Sequence, residues 1–189
     1  MDLDLDAREG LPDALRVLLA EHPRAGWQAD PSFGGLVAFW LDRHLGFRRL
    51  TGLMRQEAEL LLDRRADPAA FGPRLSRLGS HFLRDIHGHH TIEDAHFFPL
   101  LSAKEGRLAA GFDMLEQDHH ALDAHLGAFA EGANGALRSL DRPAELRTAA
   151  GRFLETLGRL DRFLDRHLVD EEDLVVPVIL RHGEGFLGH

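Results

Sequence analysis

The sequence predicts an all-α protein, an up-down-up-down four-helix bundle preceded by a short N-terminal helix. Three observations predict it. Leucine, alanine and arginine are the commonest residues of the chain, and these residues favour helix. Apolar residues recur at alternating steps of three and four along four long stretches, the inward repeat of a bundle. Short breaks carrying glycine and proline separate those stretches, and short connections favour antiparallel neighbours.

The elements follow in order. A short helix is expected from Pro12 to about Glu21, with proline in its first turn, and the loop HPRAGWQADPSFGG follows it. The first long helix is expected from Leu36 to Arg65. RADPAAFGP reads as a break, and the second helix runs from Arg74 to Ala103. The segment around Gly106 separates it from a third helix, Arg107 to Glu131. GANGALRSLDRP reads as the next linker, before a fourth helix from Ala144 to His182. This divides the chain into an arm (1–35), a bundle (36–182) and a tail (183–189). Pro99 and Pro177 lie late in their helices, and each is expected to kink its helix or end it.

Composition narrows the chemistry. The 189 residues carry a net charge of −9, so no basic surface argues for nucleic acid or an anionic membrane. Cysteine is absent, which removes thiolate metal sites, iron–sulfur clusters and cysteine nucleophiles. Tyrosine is absent too, so no phenolate ligates a metal. The acidic start MDLDLDAREG does not resemble a secretory signal, and no stretch reaches the roughly 20 apolar residues of a membrane helix. A cytoplasmic protein is expected. Histidine stands out, with 13 copies.

The inward seams select particular histidines. The fourth helix reads Phe153, Leu157, Leu160, Leu164, His167, Glu171, Leu174, Val178. The third reads Leu108, Phe112, Leu115, His119, Leu122, Leu126, Phe129. The second reads Leu75, Leu78, Phe82, Ile86, His89, Glu93, then His96 or Phe97, then Leu100. The first reads Val37, Trp40, His44, Phe47, Thr51, Met54, Ala58, Leu61. Each helix thus places one histidine on its seam, and two add a glutamate four residues on, which is one turn along the same face. His90 and His120 are rotated off the seam and, with His87 and His125, are expected at the surface or behind the ligands. A buried carboxylate costs several kcal/mol unless it is paired or binds a metal. Four imidazoles and two carboxylates in a dry core call for a cation, and six ligands leave room for two. Oxygen and nitrogen donors in that number suit iron or manganese better than four-coordinate zinc.

The second and fourth helices also repeat each other. HHTIEDAHFFPLL (89–101) aligns with HLVDEEDLVVPVI (167–179): His, three residues, Glu, an acid, four residues, Pro. The chain reads as two hairpins, each giving a histidine from one helix and His-x-x-x-Glu from the next.

That ordered set resembles the hemerythrin-like, or HHE cation-binding, family over roughly residues 36–182. The resemblance implies a carboxylate-bridged pair of non-haem iron ions (Fe2+/Fe3+) with an oxo or hydroxo bridge. Its ligands would be His44, His89, Glu93, His119, His167 and Glu171. It implies binding or sensing of O2, nitric oxide or peroxide; the alternative is a di-iron enzyme that consumes peroxide, oxidises iron or repairs iron centres. The oxygen-carrying members have two histidines four apart on the third helix, and here the second position is Asp123. A ferritin-like carboxylate bundle needs Glu-x-x-His on two helices; Glu116-x-x-His119 fits once, but Glu116 falls off the seam, and no second copy pairs with His44, His89 or His167. A haem bundle leaves the glutamates unexplained.

The other polar residues are expected in plainer roles. His96 lies near the seam, but its counterpart in the repeat is Leu174. His22, His182 and His189 lie near the ends. Asp94 and Glu172 read first as solvated acids and second as hydrogen-bond partners of the ligand imidazoles, Trp27 and Trp40 as packing residues, and Arg43, Arg48 and Arg49 as a solvated basic face.

Overall fold

A computed structural model describes residues 4, 5 and 7–188; His189 lies outside the described residues. The fold is all-α, the helical bundle expected, with no strand among the described residues. The short helix is α1 (Val17–Glu21), entered through a 3-10 turn at Asp13–Leu15. The long helices are α2 (Gly35–Leu62), α3 (Pro68–Ile92), α5 (Ala109–Leu137) and α6 (Pro143–His182). A π-helical turn at Glu93–Phe97 joins α3 to α4 (Phe98–Lys104).

Two breaks expected from glycine and proline are largely helix. Helix α3 begins at Pro68, where a missing N–H costs nothing. Asp67 caps it, its side chain accepting from the Ala69 N–H at 2.9 Å. At the other break, α5 runs through Gly132 and Gly135 to Leu137. Alanine and leucine in that stretch favour helix, and Phe129, Ala133 and Ala136 are buried along it. Burial of an apolar face outweighs the roughly 1 kcal/mol each glycine costs.

Pro99 acts as expected, by ending α3 in a π turn. Its ring clashes with the carbonyl four residues back and it has no N–H to donate. The chain answers with a wider turn, in which the Phe98 N–H donates to the Glu93 carbonyl. A π turn inserts one extra residue, so the inward face moves by one. Phe98 and Leu101 are buried, while Phe97 and Leu100, the seam residues expected from an unbroken helix, are only half-buried. Pro177 does not end its helix, since α6 continues to His182.

The chain divides into two compact units, and each long helix contributes to both. The unit formed by 46–88 and 121–164 is an apolar core. Phe82 meets Phe47 edge-on at 6.3 Å and Phe129 at 5.5 Å. The unit formed by 1–45, 89–120 and 165–189 holds the seam histidines. Its arm is fastened by Leu11, Leu15, Leu18 and Trp27, all buried in the apolar cluster. Its tail caps α2: the Leu36 N–H donates to Glu184 Oε2 at 2.8 Å. Gly35 has φ +39°, and a Cβ there would lie 2.7 Å from Glu184 Oε1, so glycine is needed for the cap to close.

The π turn is testable by its register. Leu101→Ala should cost about 2–5 kcal/mol in chemical denaturation, and Leu100→Ala clearly less. The reverse ranking would mean that an unbroken α-helix runs through Pro99.

Candidate metal centre

The seam histidines converge in the unit formed by 1–45, 89–120 and 165–189. His44 comes from α2, His89 from α3, His119 from α5 and His167 from α6. Glu93 opens the π turn and Glu171 follows His167 by one helical turn. Both glutamates are fully buried. The donor atoms form two groups, one of His44, His89, Glu93 and Glu171 and one of His90, His119 and His167; within each group the atoms lie within 4.8 Å of one another.

Each glutamate faces both groups. Glu93 sets Oε1 3.0 Å from His89 Nε2 and Oε2 3.6 Å from His119 Nε2. Glu171 sets Oε1 3.3 Å from His44 Nε2 and Oε2 3.3 Å from His167 Nε2. His44 Nε2 and His89 Nε2 approach to 3.1 Å. Several of these approaches lack hydrogen-bond angles. Among the described residues, the buried side-chain atoms with no hydrogen-bond partner are all here: His90 Nε2, both Glu93 oxygens, His119 Nε2, His167 Nε2 and Glu171 Oε2. An orphaned buried polar atom costs about 1–3 kcal/mol. Six in one place, all lone-pair donors, fit bound cations.

A second layer aims the rings. The Nδ1 of His44 donates to Glu172 at 3.0 Å, that of His119 to Asp94 at 2.7 Å, and that of His167 to Asp118 at 3.2 Å. An ionised carboxylate only accepts, so each bond places the proton on Nδ1 and turns Nε2 inward. Arginines anchor two of these acids. Buried Arg8 grips Asp118 through both terminal nitrogens and reaches Asp170 at 2.7 Å. Arg24 donates to Glu172 at 2.8 Å. The Trp40 indole N–H donates to Glu171 Oε1.

Several expectations need correction. Asp94 and Glu172 are not solvated acids: each holds a histidine, and Glu172 is buried. Trp40 does more than pack. His90, expected off the seam, is buried and stacked on His119, with ring centroids 3.9 Å apart. Successive helix residues point about 100° apart, so a helix flanked by two neighbours can bury both members of a doublet. His120 is exposed, as expected. Asp123 is exposed. His96 is largely exposed and bonds to the Leu187 carbonyl at 3.2 Å, outside both donor groups. Asp118 and Arg8 were missed altogether. Asp118 stands beside His119 in the sequence, which is a weak local hint; Arg8 gives none.

A helical bundle whose core gathers imidazoles around two shared carboxylates defines a protein built to bind cations. The chain belongs to the hemerythrin HHE cation-binding domain family, whose model matches residues 35–179. No curated protein and no solved structure matches it.

Protons occupy the metal-free centre. Burial pushes the Glu93 carboxyl well above its usual range, and the charge of Glu171 adds to this. Glu171 is also buried, but the histidines His44 and His167 hold it well below. Burial lowers His167, yet the carboxylates of Asp118 and Glu171 outweigh it and push the imidazolium up to about 9. His44 is raised against burial by Glu171 and Glu172. His89 is brought down to about 3 by burial, and burial also lowers His119.

The sign of the pH effect follows from these directions. Groups with raised folded values stabilise most below their unfolded values and lose that stability as pH rises through the folded ones. The metal-free protein should therefore lose thermal stability as pH rises from 6.5 to about 9, the window His167 sets. A cation must displace the same protons, so metal added near neutral pH should release protons, and fewer as pH approaches 9. Melting curves and weakly buffered titrations check both.

Proposed function

We propose that the chain is a non-haem di-iron protein that binds or senses O2, nitric oxide or peroxide. Its ligands are His44, His89, Glu93, His119, His167 and Glu171. One observation carries the reading: each buried glutamate sends one oxygen to each of two donor groups. That is what a bridging carboxylate must do, and it favours two ions over one. The donors are nitrogen and oxygen only, which suits iron. When bound, the ions supply redox-active coordination positions for a small molecule.

The chain's own residues shape access. Phe98 stacks on His119 at 5.6 Å, and Trp40 lies edge-on to His89 at 6.1 Å with Phe97 beyond it at 4.9 Å. These rings exclude water on that side and favour a small, uncharged ligand. Trp40 also holds Glu171 by its indole N–H, which fixes one carboxylate.

Protein produced with iron in the medium should contain two iron ions per chain by elemental analysis. A ratio near one, or stoichiometric zinc, overturns the di-iron reading. The reduced protein should change its visible spectrum when air or nitric oxide is admitted. Sustained consumption of peroxide beyond one equivalent per centre would replace the binding role with an enzymatic one.

A further inference from the structure

We propose that His90 is a seventh ligand, completing a three-histidine end of the metal pair with His119 and His167. The inference rests on the di-metal reading above. It starts from a residue with no other evident task. His90 is buried, and its Nε2 has no hydrogen-bond partner. Among the described residues, the other buried side-chain atoms in that condition are the inward donors of Glu93, His119, His167 and Glu171. An ordinary core histidine would instead satisfy its ring nitrogens with neighbouring groups.

Placement supports the assignment. The His90 ring lies parallel to His119 within 11° at 3.9 Å and edge-on to His167 at 5.5 Å. One ligand atom from each of the three residues lies within 4.8 Å of the others. Metal–nitrogen bonds are about 2.0–2.1 Å, so donors on opposite sides of one ion stand about 4.2 Å apart. A contraction of less than about 1 Å lets all three reach a single ion. The other end already offers two imidazoles, His44 and His89. The next turn of α5 offers nothing to the His119 end, because Asp123 is exposed. The third imidazole comes from α3, where the doublet sends His89 to one donor group and His90 to the other.

The test uses the full chain, stripped of metal and titrated with Co2+, whose visible bands report its coordination. The wild type should take up two ions. His90→Phe keeps a flat ring on His119 but has no donor. It should bind one ion as the wild type does and the other at least about 10-fold more weakly, with altered visible bands. Exposed His120→Ala should match the wild type. Should His90→Phe fail to fold, the wild type decides alone: its Co2+ form should show five paramagnetically shifted imidazole N–H resonances. Unchanged affinity and bands in His90→Phe, or only four such resonances, overturns the assignment and leaves the di-metal reading standing. Uptake of fewer than two ions by the wild type overturns both.

Discussion

Two carboxylates, Glu93 and Glu171, lie fully buried in the interior of a helical protein. Burying an ionised carboxylate carries a penalty of several kcal/mol after relaxation, and two adjacent ones cannot both be charged without compensation. Much of the unit that holds the seam histidines answers that constraint. Without metal, Glu171 keeps the charge and Glu93 the proton, because the nearby imidazolium groups favour Glu171. The Trp40 N–H adds a neutral donor to Glu171. With their oxygens turned toward both donor groups, the same two residues account for the pairing of the histidines.

The next layer outward is built from carboxylates as well, and it crosses the repeat. Asp94, in the first hairpin, holds His119 in the second; Glu172, in the second, holds His44 in the first. Each sits directly after a buried glutamate, so one short stretch of chain supplies both a shared carboxylate and the acid that aims a histidine. Burying part of this layer creates a further charge demand, which Arg8 and Arg24 meet. Arg8 reaches in from the N-terminal arm, whose leucines join the apolar cluster of the same unit. The arm is thereby coupled to the orientation of His167, through Asp118. Removing either arginine would take the nearby cation from a buried acid that holds a seam histidine, so the arm supports the centre electrostatically as well as by packing.

The π turn is where local chemistry and the centre meet. Proline at 99 forces a wider turn, which begins at Glu93 itself and carries the shift of face from Phe97 and Leu100 to Phe98 and Leu101. Phe98 thereby comes to lie against His119. The aligned proline at 177 leaves α6 unbroken, so the two halves of the repeat share their polar residues but not their backbone.

The sequence by itself determined the fold class and the inward residues. Their periodicity is set within each helix, where residues three and four apart share a face whatever lies opposite. His44, His119, His167, Glu93 and Glu171 are legible for that reason, and all are buried. The helix limits at RADPAAFGP and GANGALRSLDRP were not legible, because glycine and proline act as breakers only where packing does not outweigh them. Tertiary structure alone decided which residues pair across elements. No spacing rule links Arg8 to Asp118, or Glu172 to His44. No single seam shows that a helix with two neighbours turns His89 to one donor group and His90 to the other. Local geometry is written in short-range periodicity; long-range pairing depends on which faces meet.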